Sequence, residues 1–119
     1  MVSHTGVRAT CDTVRNLSDA QIRAVAASGG VIGIGLYEYA VCGQRIEDTV
    51  RAMRHVADLV GWEHIALGSD FDGATTIIDA SGLPLVTEAL MAAGFAANEI
   101  RGIMGANALR LFAQLLPDG

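Results

Sequence analysis

Gly68-Ser69-Asp70-Phe71-Asp72-Gly73 sets two carboxylates at i and i+2 directly after a short apolar run. Carboxylates at the end of a buried segment cost desolvation unless something pairs with them. A metal ion, a bound amine or an arginine is the usual partner; the plain alternative is a solvated turn ahead of Gly73. Ser3-His4-Thr5-Gly6 puts an imidazole beside a flexible turn, where a metal ligand or a general base is a natural use. Taken alone, a loop histidine is its plain alternative. Arg15-Asn16 lies just before a helix start, and a guanidinium there is able to grip a substrate carboxylate with two parallel hydrogen bonds. Otherwise it is a surface arginine. His55, inside a helix, and His64, at the entrance of the strand whose exit carries Asp70, read as structural. Asn107 reads as a helix N-cap, and Met53, Met91 and Met104 as core filler. Cys11 and Cys42, 31 residues apart, are compatible with two separate small thiols or with one loop-to-loop cross-link.

Composition excludes several kinds of chemistry. The chain has 119 residues, 51% hydrophobic and 18% charged, with a formal net charge of -5. That apolar fraction is too high for a disordered segment, and the acidic balance with scattered arginines is wrong for nucleic acid. All eight basic residues are Arg, so Schiff-base and phosphate-loop lysines are absent from this stretch. The same lack removes a phosphotransferase reading of Asp70-Phe71-Asp72-Gly73, which requires a downstream lysine and an early strand. No apolar run approaches the ~18 residues of a membrane span. The first residues lack the charged head and apolar body of a secretion signal, which favours a cytoplasmic location.

The elements that must position these groups follow from periodicity. Ser18 and Gln21 form a capping box, with Leu17 and Ile22 placed as a hydrophobic staple, and Gly29-Gly30 stops that helix. Val31–Leu36 is apolar on both faces, as a buried parallel strand should be. Ile46, Val50, Met53, Ala57 and Val60 mark one face of a helix over 46–60. Ile65–Gly68 is a second short strand. Helices are predicted over 84–93, 98–104 and 107–116, the last with an apolar stripe of Leu109, Phe112 and Leu116. Repeated strand–helix units imply a parallel α/β sheet with helical crossovers. His4 and Asp70 then sit just past strand ends, on the functional rim of such a sheet. The strand ahead of His4 is reduced to Val2-Ser3, so the chain reads as starting in the middle of a fold.

Ser3-His4-Thr5-Gly6, the run Cys11…Arg15-Asn16-Leu17-Ser18-Asp19, Gly29-Gly30-Val31-Ile32-Gly33, Gly68–Gly73 and Gly105-Ala106-Asn107-Ala108-Leu109-Arg110 occur in an order and spacing that resembles the membrane dipeptidase (renal dipeptidase) family of zinc metallopeptidases. The resemblance runs along the whole chain and corresponds to the C-terminal third of a family member. It implies an amidohydrolase-type (β/α)₈ barrel, of which residues 1–119 would form a single incomplete fragment: the last three βα units. It implies two zinc ions in the complete enzyme, with His4 matching a histidine ligand of one of them. Arg15 matches the arginine that holds the dipeptide carboxylate. Asp70 matches the aspartate that handles the substrate amino end and transfers the proton. Asp72 matches the second aspartate of the motif, to which the resemblance assigns no catalytic role. Cys11 and Cys42 fall where extracellular members carry a loop-bridging pair.

Two functions are thus expected of these residues. In a complete barrel they would belong to a zinc-dependent hydrolase of dipeptides. Alone, the chain would be a catalytically inactive fragment, since one histidine does not hold two ions that each need about three protein ligands. Such a fragment would pair with the missing N-terminal barrel segment or with itself. The expected cause is an inner sheet face along 31–36 and 65–68 whose apolar side chains lack the strands that should cover them. Ala96, where a Ser cap would be usual, is expected to leave the next helix start without a side-chain cap.

Overall fold

A computed structural model describes residues 1–117. Three parallel strands form one sheet in the order β1-β2-β3: β1 (Val2–Thr5), β2 (Ile32–Gly35) and β3 (Ile65–Gly68). Between them run α1 (Asp19–Ala27), the one-turn α2 (Glu38–Val41) and α3 (Ile46–Val60). After β3 come α4 (Leu83–Ala92), α5 (Ala97–Arg101), a π-type turn over Gly102–Ala106, and α6 (Asn107–Leu115). No helix among the described residues is long and apolar enough to cross a membrane.

Strand alternation divides the sheet into a large-residue face and a small-residue face. Ile32 pairs with Ile65 and Ile34 with Leu67, while Gly33 pairs with Ala66 and Gly35 with Gly68. The isoleucines are fully buried, in a core shared with Ile22 of α1, Met53 and Val56 of α3, and Val86 and Leu90 of α4. The opposite face carries little side chain, and Ala66 there packs with Val31 and Leu111 of α6.

This corrects the expected exposure of an apolar inner face. Every residue from Val31 to Tyr37 is buried, because glycine and alanine fill the second face and leave nothing large to cover. The apolar surface that remains open lies on α6 instead: Leu109, Phe112 and Leu116, expected as its buried stripe, are 70%, 46% and 64% exposed. Leu111 and Asn107 face inward in their place. The amide of Asn107 does not cap a helix. It is buried inside the first turn of α6 and donates to the carbonyls of Trp62 and Ile65 at 2.8 and 2.9 Å. Those carbonyls, at the entrance of an edge strand, need donors, and that need outweighs a local cap. Met53 is core as expected, but Met91 is 63% exposed.

β1 is longer than Val2-Ser3 and is irregular. Val2 aligns with Ile32 and Thr5 with Ile34, so β1 carries one residue more than β2 over the same stretch. That extra residue is a bulge, which breaks the alternation: Ser3 and His4 are both exposed. The bulge pushes the Ser3 carbonyl over the sheet, where a Cβ on Gly33 would come within 2.1 Å of it and one on Gly68 within 2.5 Å. Glycine at both positions makes room for the bulge that turns His4 outward.

Candidate active site at the strand-end rim

All three strands run the same way, so their C-terminal ends share one edge. His4 is the penultimate residue of β1, and its Nδ1 lies 2.8 Å from the Ser3 hydroxyl. That contact leaves Nε2 as the nitrogen directed outward, 4.0 Å from an Asp70 carboxylate oxygen. Asp70, two residues beyond β3, has a φ of 57°, a left-handed conformation that Asp tolerates better than most residues. The turn is fixed by the amides of Gly73 and Ala74, which both donate to the Asp70 carbonyl at 3.1 Å. The side chains of His4 and Asp70 are 43% and 25% exposed, so both are accessible to a small ligand. Asp72 points to solvent.

Arg15 arrives from the loop between β1 and α1. Asn16 anchors that loop: its buried amide accepts from Gly6 N at 3.1 Å and donates to the carbonyls of Cys11 and Ala40 at 2.8 and 2.9 Å. Cys11 and Cys42 form a disulfide that ties the same loop to the end of α2, the cross-linked one of the two arrangements open from sequence. Arg15 reaches from this frame across the rim to Tyr37, and its Nη1 donates to the phenol oxygen at 2.7 Å. The Tyr37 ring in turn lies 6.4 Å from the His4 ring. Arg15, Tyr37, His4 and Asp70 therefore line one edge in succession.

His55 and His64 lie apart from it. His55 Nε2 contacts Asp19 at 2.7 Å, joining α3 to α1. His64 Nδ1 meets the Gly30 carbonyl at 2.8 Å, at the entrance end of the sheet. Tyr37 is the rim residue that sequence reasoning passed over. From sequence it is one residue of the loop that follows the apolar strand, and the available signal was its place at the exit of β2, level with His4 and Asp70.

The rim offers one imidazole, one carboxylate and one guanidinium. Among the described residues no group of three or more His, Cys, Asp or Glu side chains is placed to hold a metal ion. A catalytic zinc site takes about three protein ligands, so the donors described here do not by themselves complete one.

A parallel α/β sheet with a cation, an imidazole and a carboxylate at its strand exits defines the strand-end-site class of α/β proteins. More narrowly, the chain belongs to the membrane dipeptidase family (peptidase family M19), whose profile matches residues 1–116. It is 38% identical over 105 residues to an uncharacterized protein in the pqqA 5′ region of Klebsiella pneumoniae, covering 80% of this chain and 39% of that one. It is 30% identical over 124 residues to the dipeptidase aclJ of Aspergillus oryzae, covering 97% and 29%. Its fold matches a metallo peptidase from Rhodobacter sphaeroides, solved with a phosphinate mimic of the dipeptide L-Ala-D-Ala, with a TM-score of 0.82 and 31% identity over 92% of this chain and 34% of that one. The chain thus spans 39% and 29% of the length of these two sequence relatives.

Proposed function

We propose that this chain carries the carboxylate clamp and the proton carrier of a metal-dependent dipeptide hydrolase, and that its three strands are βα units of an incomplete (β/α)₈ barrel. The observation that carries the reading is the convergence of Arg15, His4 and Asp70 on one strand-end rim. The dipeptidase names and the dipeptide-mimic complex among its relatives support it.

Hydrolysis adds water to the peptide carbonyl carbon, breaks the C–N bond and delivers a proton to the leaving amine. Arg15 holds the free carboxylate of the dipeptide, so that the scissile bond lies at a fixed distance from the rim. Asp70 takes the proton released as water adds and passes it to the departing nitrogen. His4 would offer its outward Nε2 as one ligand to an ion, zinc by the family resemblance, which when bound would polarise the carbonyl and activate water; the described residues do not supply its remaining ligands.

Two measurements test this. Alanyl-alanine should shift the NMR signals of residues around Arg15, and its C-terminal amide should not; equal binding of the two would remove the clamp. The isolated chain should show no dipeptidase turnover, with or without added zinc. Turnover abolished by Asp70→Ala would instead show a self-sufficient enzyme.

A further inference from the structure

We infer that Tyr37 is the positioning residue for Arg15, and that its hydroxyl sets the strength and selectivity of carboxylate recognition; this rests on the proposal that Arg15 takes the substrate carboxylate. Arg15 is exposed and sits on a loop. A free arginine side chain carries a large rotamer entropy, which a ligand would have to remove. Two contacts with one residue remove it beforehand. Nη1 donates to the Tyr37 oxygen at 2.7 Å, and the guanidinium carbon lies 5.2 Å from the centre of the Tyr37 ring. A hydroxyl and a ring face together fix both the reach and the plane of the guanidinium. Four of its five N–H groups remain for a carboxylate.

Tyr37 is itself immobile. It is 4% exposed, and its backbone pairs with Thr76 in an isolated antiparallel bridge. Its ring packs close to Gly35 at the end of β2. A Cβ on Gly35 would come within 2.4 Å of the ring's Cε1 and 3.0 Å of Ala40 Cβ, so glycine at 35 is what lets the ring settle there. The chain thus uses a rigid strand end to aim a group borne on a loop. Rigid support of this kind is how binding geometry is usually secured. Tyr39, two residues on, is 81% exposed and has no such frame.

The experiment uses the full chain and Tyr37→Phe, Arg15→Ala and Arg15→Lys variants, with alanyl-alanine and its C-terminal amide as probes. In the unchanged chain the Arg15 guanidinium should rotate slowly on the NMR timescale. In Tyr37→Phe it should rotate freely, alanyl-alanine should bind about tenfold more weakly, and amide binding and thermal midpoint should stay as before. Arg15→Ala should lose the same preference, with no additional loss on adding Tyr37→Phe. Arg15→Lys should also lose it, because an ammonium has no planar fork. Retention of the preference in Tyr37→Phe but not in Arg15→Ala would overturn the role of Tyr37. Retention in Arg15→Ala would overturn the clamp and the role of Tyr37 with it. Should Tyr37→Phe fail to fold, free rotation of Arg15 in the unchanged chain would be sufficient to reject the inference.

Discussion

Asn16 holds the rim loop through three hydrogen bonds from one buried side chain. Asn16→Ala strands the Gly6 amide and two carbonyls, each an unmet polar group costing about 1–3 kcal/mol when buried. The disulfide keeps the loop nearby, so partial relief by water is expected and the net loss should be about 2–4 kcal/mol, read from urea unfolding. A loss under about 0.5 kcal/mol would mean that the bridge alone shapes the loop. At this scale, type and spacing singled out His4, Arg15 and Asp70 as candidates, because each breaks an apolar or turn pattern with a charge or an imidazole, and the structure brings the three to one rim. Tyr37 broke no pattern. Asn107 looked like a cap because it follows Gly105-Ala106, and the carbonyls it serves lie more than 40 residues earlier.

Elements whose determinants are local were legible, and those set by contacts across the chain were not. The apolar period gave α3 its observed limits of Ile46–Val60. The Ser18–Gln21 box is present, with Ser18 Oγ accepting from Gln21 N at 3.3 Å. By contrast α2 is four residues long, too short to have a period, and the bulge in β1 depends on a register that only pairing defines. Ser18→Ala should cost about 1 kcal/mol of stability, whereas Ala96→Ser should add a fraction of that. At Ala96 the backbone N–H already donates to Glu99 at 2.9 Å, but no side chain caps the first turn of α5. Thermal midpoints moving in opposite directions would check both. Gly33→Ala should cost about 1–3 kcal/mol even after β1 shifts to relieve the contact with Ser3. Hydrogen exchange should show Thr5 losing protection first; unchanged protection in β1 would mean the bulge moves freely. Asp79 offers a pH test. Hydrogen bonds from the Ser81 hydroxyl and amide hold its carboxyl below the ordinary value. A lowered folded value stabilises the turn above the unfolded pKa, and that contribution disappears as pH falls through the folded value. The turn at 80–82 that leads into α4 should therefore loosen as pH falls below the ordinary carboxylate range, visible as NMR shifts of Ser81 and Gly82 that follow the Asp79 carboxyl.

For the whole molecule, association was expected from sequence for a reason the structure revises. The sheet's second face is closed by small residues, so it is not the adhesive surface. Two other features are better candidates for it. Among the described residues β1 and β3 each have a strand neighbour on one side only, and edges of that kind pair with other chains unless blocked. α6 leaves Leu109, Phe112, Leu115 and Leu116 46–70% exposed, close together at 3.6 residues per turn. Burying an apolar side chain of this size contributes about 1.5–3 kcal/mol. Several together match a large part of the ~5–15 kcal/mol that stabilises a typical domain. The chain at micromolar concentration should therefore sediment as a self-associated species. Phe112→Glu with Leu116→Glu should shift it toward monomer without lowering the unfolding midpoint, because neither side chain belongs to the core. The helical surface and the strand edges predict different outcomes. If α6 drives association, the double variant is monomeric. If the edges drive it, the double variant still associates, and a charge on the edge strand, as in Ser3→Lys, disperses it. A sharp monomer of the unchanged chain would mean that neither surface is adhesive at that concentration, and that three strands backed by α1, α3 and α4 form a self-sufficient domain.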